Sequence, residues 1–253
     1  MEHVGAAEAR PGRWLRRFRR GESPQDVRLI CFPHAGGAAT FFFPFARGLN
    51  VSAEVLAVQY PGRQDRHRDA CIDSVEEMAD LIFEDVRALD DRPLAFFGHS
   101  MGAVLAFEVT RRLEEKDGIS PRWLFASARP APSRHRDEKL RTDDAQLIAD
   151  LKALNGPNSG IFADEDALRV ILPAIRSDYK TIEGYVVTPD TRVTCPISTV
   201  IGVSDERVTS DEAEDWGKHT TGDFELMVFP GGHFYLTEQL PDVARFVAER
   251  ISR

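Results

Sequence analysis

The chain has 253 residues, 42% of them apolar, which is enough for one large α/β domain with a substantial core. Its formal net charge of -9, from 41 acidic and 32 basic side chains, argues against a broad nucleic-acid surface. The three cysteines are widely spaced and form no C-x-x-C pair, which argues against a disulfide framework and against a structural zinc.

Membrane insertion and export are not expected either. No apolar run in the sequence approaches the length that spans a bilayer. Six arginines lie within residues 10–20, but a polar segment follows them, so neither a Sec nor a twin-arginine signal is complete. The expected location is a reducing cytoplasm. We interpret residues 1–20 as an N-terminal extension in which Trp14, Leu15 and Phe18 can pack on the body.

The first predicted strand is Val27–Phe32, a continuous apolar run. It ends in the sequence PHAGG at 33–37, a loop that leaves backbone N–H groups free at the carboxyl end of a strand. Residues 54–59 form a second predicted strand, which the sequence YPGR at 60–63 ends. Four phenylalanines lie between these strands and open a helix; we favour core packing for them, with the lining of a substrate entrance as the alternative. They are Phe41, Phe42, Phe43 and Phe45.

A helix is predicted to begin after Ser74, which forms a capping-box pattern with Glu77. The next unit, residues 93–113, is typical of a short buried strand, a sharp turn and an amphipathic helix. Basic residues and Gly118 predict where that helix ends.

The turn in this unit is GHSMG at 98–102. G-x-S-x-G matches the nucleophile elbow, in which glycines flank a serine because side chains there would collide with the neighbouring strand and helix. Such a turn lifts the Ser100 hydroxyl off the carboxyl edge of a sheet. The helix N-terminus at that point favours developing negative charge.

After another buried strand, Trp123–Ser127, the regular alternation of strands and helices breaks for residues 129–190. Helical stretches are predicted there at 144–154 and 164–178, without a convincing strand. We interpret 129–190 as a helical lid over the serine; the alternative is a structural excursion remote from the site. The alternation elsewhere implies one α/β domain over 1–253, with a mostly parallel sheet and helices on both faces.

The sheet resumes at 197–203, and Asp205 follows that strand directly. A further strand, Phe224–Phe229, leads through Pro-Gly-Gly to His233, before a closing helix at 241–251. A serine nucleophile needs a base to take its proton and an acid to orient that base. His233 and Asp205 fit these roles because both follow strands, in the chain order Ser, Asp, His.

Two alternatives for the acid stay open: Glu206, next to Asp205, and Asp137, if the acid follows the preceding strand. Other histidines fit less well. His219 follows a helix whose Trp216 suggests packing, and the ring of His99 is expected to point away from the serine hydroxyl.

The combined pattern predicts nucleophilic acyl transfer. Ser100 attacks a carbonyl with His233 as base, and the backbone amides of Ala35 and Met101 form the oxyanion hole. Water activated by His233 then releases the acid. No step requires a metal or a cofactor, and none is predicted.

These residues resemble the type II thioesterases that accompany polyketide synthases and nonribosomal peptide synthetases, which have an α/β-hydrolase fold. The combination of FPHAGG with YPGR at this separation is more specific to that family than GHSMG. The similar stretches are FPHAGG (32–37), YPGR (60–63), GHSMG (98–102), LPAIRSDY (172–179), Asp205 and GGH (231–233).

The resemblance implies that the substrate is an acyl thioester on the phosphopantetheine arm of an acyl or peptidyl carrier protein. It also implies that the enzyme clears aberrant acyl groups from stalled assembly lines and that the lid gates a narrow channel for that arm. Separately, we expect a monomer. Acidic carrier proteins would favour a basic docking patch. The candidates are Arg129, Arg134, Arg136, Lys139 and Arg141, although a solvated loop is the more ordinary interpretation.

Two other functions remain open. A free-standing esterase or acyl-CoA thioesterase could use the same triad. A non-catalytic binding partner of the same fold is the third hypothesis, against which the intact set of Ser100, Asp205 and His233 argues.

Overall fold

The computed structural model describes residues 12–23, 25–89, 91–134, 144–145, 147–149 and 165–253, within which seven strands form one sheet. In chain order the strands are β1 (Leu15–Arg19), β2 (Val27–Phe32), β3 (Ala53–Val58), β4 (Leu94–His99), β5 (Trp123–Ser127), β6 (Ile197–Gly202) and β7 (Phe224–Phe229). They are ordered β1-β3-β2-β4-β5-β6-β7 across the sheet. Strands β2 to β7 are parallel, and β1 is antiparallel to β3. The predicted α/β class is confirmed.

Helices connect most of these strands. In the described residues they are α1 (Phe43–Gly48), α2 (Val75–Arg87), α3 (Met101–Arg112), α4 (Glu165–Glu183), α5 (Ser210–Glu214), α6 (Tyr235–Glu238) and α7 (Leu240–Ile251). A π-helical turn, Leu113–Asp117, extends α3 to Gly118, whose φ of 67° ends it at the predicted position. None of the described helices is both long and apolar enough to cross a membrane.

The core lies on both faces of the sheet. Because neighbouring residues of a strand point to opposite faces, Phe96 packs in the cluster that contains α2 and α3, and Phe97 in the cluster that contains α1 and α7. Both phenylalanine side chains are fully buried, and burial of each stabilises the fold by roughly 1.5–3 kcal/mol. The prediction of helices on both faces is confirmed.

The order of the strands places a crevice between β2 and β4. The chain passes from β2 to β3 on one side and then returns to β4 on the other. In open α/β sheets, ligands bind at the carboxyl ends of the strands where the direction of winding reverses. The loop after β2 and the turn after β4 meet at that point.

Strand β1 differs from the sequence-based expectation. Residues 1–20 are predicted to be an extension, whereas in the structure Leu15–Arg19 is an edge strand paired antiparallel with β3. Its sequence, LRRFR, lacks apolar alternation because the strand is held largely by backbone pairing at the edge of the sheet. Trp14 and Leu15 do pack in the core, as expected. Residues 1–11 lie outside the described part of the chain.

One predicted helix start is correct in part. Ser74 caps α2, and its hydroxyl accepts a hydrogen bond from the Glu77 N–H at 3.2 Å. In a full capping box, the Glu77 carboxylate would also accept a hydrogen bond from the Ser74 backbone N–H. Here the Ser74 hydroxyl instead donates to the carboxylate of Glu76 at 2.9 Å. The complete box occurs at Thr209 and Glu212, at the start of α5.

The described part of the insertion is dominated by α4, which runs five residues beyond the predicted end at Asp178. This helix is attached to the body through side chains on one face. The hydroxyls of Ser177 and Thr181 each donate to the backbone oxygen of Ile72 at 3.0 Å. Of the predicted helix at 144–154, residues 144–145 and 147–149 are described, and they are helical.

Candidate active site

The turn that carries Ser100 has a strained backbone. Strand β4 ends at His99 and α3 begins at Met101, which leaves Ser100 alone between them with φ 55° and ψ -117°. A residue with a side chain rarely adopts a positive φ, and such strain persists where the surrounding structure enforces it. Here the Ser100 N–H donates to the Ser127 carbonyl on β5 at 2.8 Å. The sharp strand-to-helix turn predicted from the sequence is confirmed.

The glycines on either side of Ser100 are required by close packing. A Cβ on Gly98 would lie 2.2 Å from the backbone oxygen of Gly102. A Cβ on Gly102 would lie 2.0 Å from the backbone oxygen of Phe32, at the end of β2. Both distances are far below van der Waals contact, so α3 approaches the sheet closely only because these side chains are absent.

His233 and Asp205 form a buried pair at the neighbouring strand ends. The His233 Nδ1 atom lies 3.0 Å and 3.1 Å from the two carboxylate oxygens of Asp205. Asp205 is itself held in place: its Oδ1 accepts the Arg207 N–H at 2.8 Å, and its own N–H donates to Gly202 at 3.1 Å. A carboxylate at Nδ1 orients an imidazole and stabilises its protonated form.

The loops that carry this pair are joined to each other. The Ser204 N–H donates to the Gly231 carbonyl at 2.9 Å, and a Cβ on Gly202 would lie 2.3 Å from the Gly232 oxygen. Of the alternative acids, Glu206 is exposed to solvent beside Asp205, and Asp137 lies outside the described residues. Within the described part of the chain, the contact to the imidazole therefore comes from Asp205.

Four of the five predicted site residues line one cavity: Ser100, His233, Ala35 and Met101. The fifth, Asp205, lies behind His233. The cavity has a volume of about 40 Å³, which is room for a few water molecules. The remaining lining residues are Ala128, Arg129, Pro130, Tyr179, Ile182 and Arg207. Because Tyr179 and Ile182 belong to α4, the insertion forms one wall of this cavity.

The loop after β2, residues 34–37, supplies a backbone donor. The Gly37 N–H is bonded to the His34 carbonyl at 2.9 Å, and the Gly36 N–H to the Asp178 carboxylate at 2.7 Å. Among the hydrogen bonds of the described residues, none takes up the N–H of Ala35 or of Met101. Because Ala35 and Met101 both line the cavity, their amides are the candidate donors to an oxyanion there.

Two further histidines surround the pair. His34 packs edge-on against Phe41 and Phe234, and the ring of His99 lies 5.4 Å from that of His233. Burial, together with the nearby His233, lowers the pKa of His34 to about 3 and lowers that of His99 well below its ordinary value. Both rings are neutral at neutral pH.

The ring of His99 has a defined partner on the next strand. Its Nδ1 lies 2.8 Å from the Ser127 hydroxyl, which is 2.6 Å from the hydroxyl of Tyr235. Tyr235 also donates to the Val200 carbonyl at 3.3 Å. Sequence reasoning missed Ser127 and Tyr235, because neither stands in a motif that predicts this contact. His219 is buried against Trp216, in line with its predicted packing role.

The phenylalanine cluster divides into two groups. Phe42 and Phe45 are fully buried in the core, as the favoured interpretation predicts. Phe41 is partly buried and contacts His34 near the site, whereas Phe43 is 45% exposed. None of the four is among the described residues that line the cavity.

The predicted basic patch is only partly described. Arg129 lines the cavity, and Arg134 forms an ion pair with Asp215. Arg136, Lys139 and Arg141 lie outside the described residues. Within the described part of the chain, His, Cys, Asp and Glu side chains form no group of three or more that could hold a metal ion.

The sheet, the helices on both faces and the strained serine turn define an α/β-hydrolase. A family model described as a thioesterase domain matches residues 27–251, and the chain belongs to this family. It is a hydrolase that acts on thioester bonds.

Relatives and solved structures agree with this assignment. The chain is 47% identical to a probable cadicidin biosynthesis thioesterase of Streptomyces griseus, over 98% of this chain and 68% of that protein. It is 41% identical to the thioesterase PikA5 of Streptomyces venezuelae, over 95% of this chain and 86% of that protein. The type II thioesterase BorB, from the borrelidin biosynthetic cluster, superposes with a TM-score of 0.86 at 44% identity, covering 94% and 97% of the two chains.

Proposed function

We propose that Ser100, His233 and Asp205 are the catalytic triad of this thioesterase. The observation that carries the proposal is the arrangement at one cavity: Ser100 and His233 line it, and Asp205 holds the Nδ1 side of the imidazole. With Nδ1 engaged, Nε2 is the nitrogen that takes the proton from the Ser100 hydroxyl. The burial of Asp205 strengthens its interaction with the imidazolium that then forms.

The first half of the reaction forms an acyl-enzyme. The Ser100 oxygen attacks the thioester carbonyl while His233 accepts the hydroxyl proton. The amides of Ala35 and Met101 donate to the oxyanion of the tetrahedral intermediate, and the N-terminus of α3 adds a favourable dipole. Collapse of the intermediate breaks the carbon–sulfur bond, and the proton on His233 passes to the departing thiolate.

The second half releases the acid. His233 takes a proton from a water molecule, whose oxygen attacks the acyl carbonyl on Ser100. The same two amides hold the second oxyanion, and its collapse returns the proton to the Ser100 oxygen. The narrow cavity, closed on one side by α4, limits both the acyl group and the number of water molecules beside it.

We propose that the substrates are acyl groups on the phosphopantetheine arms of carrier proteins, which the enzyme removes from stalled polyketide or nonribosomal peptide synthases. The resemblance to BorB over nearly its whole length supports this role. The proposal includes the insertion, residues 129–190, as a lid over a channel wide enough for one such arm. It also includes a monomeric enzyme in the cytoplasm.

The test compares three substrates that carry the same acyl group: acyl-carrier protein, acyl-CoA and a nitrophenyl ester. We expect the highest kcat/KM on the carrier protein. Equal values on all three would contradict carrier recognition and favour a general esterase or acyl-CoA thioesterase.

The triad is tested in parallel with Ser100→Ala and, as the matched control, Ser210→Ala on the exposed start of α5. We expect Ser100→Ala to lose at least about 10⁴-fold in kcat and to escape labelling by a fluorophosphonate. Ser210→Ala keeps both properties. Full activity in Ser100→Ala would overturn the assignment of the nucleophile.

A further inference from the structure

A buried ion pair joins the insertion to the body of the enzyme. Arg63, in the YPGR turn, donates from Nη1 and Nη2 to the two carboxylate oxygens of Asp178 on α4, at 2.5 and 2.7 Å. The two residues are 115 positions apart in the chain, and both side chains are almost completely buried. Burial disfavours the charge of Arg63, but the adjacent carboxylate of Asp178 outweighs it and raises the pKa of Arg63.

The pair is bonded to the loop at 34–37. The Asp178 oxygen that faces Arg63 Nη1 also accepts the Gly36 N–H at 2.7 Å. Arg63 Nη1 donates in addition to the Gly37 carbonyl at 3.1 Å. Tyr60, from the same turn, donates its hydroxyl to the Pro33 carbonyl at 3.0 Å. The backbone of the loop is thus held on both sides of Ala35.

These bonds fix the peptide plane that follows Ala35, and the Gly37 N–H in turn donates at 2.9 Å to the His34 carbonyl, which shares a peptide plane with the Ala35 N–H. The Gly36 N–H belongs to the planar peptide group whose carbonyl comes from Ala35. Gly36 has a φ of +76°, a conformation that glycine can leave at little steric cost once its bonds are removed. A loop with this freedom needs outside contacts to keep one amide aimed at the cavity.

A role in stability alone explains the pair poorly. A buried ion pair often contributes no more than well-packed apolar residues would, because desolvation offsets the attraction. Neither Arg63 nor Asp178 is among the described residues that line the cavity, so neither reaches the reacting atoms. What the pair does contact is the backbone beside a proposed oxyanion donor.

We propose that Asp178 and Arg63 are positioning residues of the oxyanion hole: by holding Gly36 and Gly37, they keep the Ala35 N–H directed at the tetrahedral intermediate. The insertion therefore completes the site through Asp178 as well as covering it. This inference rests on the proposed function, in which Ala35 is one of the two donors.

The test uses Asp178→Ala, Asp178→Asn and Arg63→Lys. The matched control is Lys180→Ala. Lys180 lies two residues after Asp178 on the same helix, and this substitution breaks its exposed ion pair with Asp73. For each variant, kcat and KM are measured on one acyl thioester. Binding is measured to a trifluoromethyl ketone analogue, whose adduct with serine carries an oxyanion, and to an unreactive thioether analogue.

We expect Asp178→Ala to lower kcat by 10- to 10³-fold, up to the effect of removing an oxyanion donor, with KM changed less than about threefold. Affinity for the ketone falls in parallel, whereas affinity for the thioether stays within about threefold. Asp178→Asn keeps an acceptor for the Gly36 N–H, so we expect it to be intermediate. Arg63→Lys loses the bidentate contact, so we expect its losses in kcat and in affinity for the ketone to resemble those of Asp178→Asn. For Lys180→Ala we expect kcat, KM and the affinities for both analogues to match those of the wild type.

The inference is overturned if Asp178→Asn and Arg63→Lys bind the ketone and the thioether with equal losses, because the pair then only anchors the helix. It is also overturned if kcat in both variants stays within about threefold of the wild type. Should Asp178→Ala not fold, these two conservative variants still decide the question. Failure of the proposed function is a separate result, since it appears as activity in Ser100→Ala.

Discussion

The two sides of the cavity beside Ser100 are built in different ways. On one side, Ser100, Asp205 and His233 follow the ends of β4, β6 and β7, so the parallel register of the sheet sets their positions. On the other side, the loop at 34–37 depends on side chains from the YPGR turn and from α4. We call these the sheet side and the loop side.

The two sides differ in the contacts that hold their residues in place. The sheet side is fixed by backbone pairing and by glycines that permit close contact. The loop side includes contacts from the insertion, because Asp178 binds both Arg63 and the Gly36 N–H. The proposed triad therefore depends on the sheet, whereas the proposed oxyanion hole also depends on a side chain of the insertion.

The largest expected effect is on the sheet side, from Asp205→Asn. The substitution keeps the shape of the side chain but removes the negative charge beside Nδ1, which leaves the imidazole in the wrong tautomer and its cation unsupported. We expect kcat to fall by about 10⁴-fold with the melting temperature nearly unchanged.

The matched control for that variant is Glu206→Gln, at the exposed neighbouring position. We expect its kcat to remain within about twofold of the wild type. Comparable losses in the two variants would mean that the acid has been misassigned, and a large loss in Glu206→Gln alone would transfer the role to Glu206.

The second prediction concerns the packing of the sheet side. In Gly102→Ala the new Cβ meets the Phe32 oxygen, so β2 and α3 must separate. We expect the free energy of unfolding to fall by more than about 3 kcal/mol, which is in the upper range for a single substitution. Urea denaturation measures this loss, with Gly184→Ala as the control because nothing lies within 4 Å of a Cβ there. A loss below about 1 kcal/mol would show that the two elements can move apart easily.

The sheet side is also the part that the sequence predicts well. Strand, turn and helix around Ser100 are contiguous in the chain, Asp205 closely follows an apolar run, and His233 follows one through Pro-Gly-Gly. For this reason local patterns place all three residues at one edge. Their roles in catalysis stay predictions until the variants are measured.

The loop side is predicted less completely. The sequence marks Ala35 as a donor but gives no reason to choose its amide over that of Gly36, which the structure shows bonded to Asp178. Arg63 and Asp178 lie in recognisable motifs, yet a pairing over 115 residues cannot be inferred from either segment alone. The edge strand β1 is missed for a related reason, since backbone pairing leaves little apolar pattern in LRRFR.

The third prediction compares the two sides through the pH dependence of stability. An unfolded chain protonates histidine near its ordinary pKa of about 6.5, whereas the folded pKa is lowered to about 3 for His34 and well below the ordinary value for His99. Below pH 6.5 the unfolded state therefore binds more protons, and stability falls as the pH falls. Each group contributes at most about 1.4 kcal/mol per pH unit.

His99, on the sheet side, is fully buried, whereas His34 on the loop side keeps partial contact with solvent. Because both pKa values are nevertheless lowered far below 6.5, we expect His99→Gln and His34→Gln each to reduce the slope of unfolding free energy against pH between 6.5 and 4, by up to about 1.4 kcal/mol per pH unit. A clearly smaller reduction in His34→Gln would show that its contact with solvent keeps its folded pKa closer to the ordinary value, and no reduction in either variant would contradict the prediction.

The smallest expected effect comes from the hydroxyl of Tyr235, which connects the segment after His233 to the strands beneath Ser100. Tyr235→Phe removes the contacts to Ser127 and Val200 but leaves the ring stacked on Phe229. We expect a loss of about 1 kcal/mol in the free energy of unfolding and less than tenfold in kcat. The loss in kcat stays small because His233 is still held by Asp205.

A double-mutant cycle with Ser127→Ala separates the two contacts of Tyr235. If Ser127 provides the connection, the two substitutions together cost less than the sum of the single ones, because each removes the same hydrogen bond. Strict additivity would assign the effect to the Val200 carbonyl. A fall in kcat well above tenfold in Tyr235→Phe, with stability intact, would mean that the sheet side also relies on a distant side chain, and the contrast between the two sides would not hold.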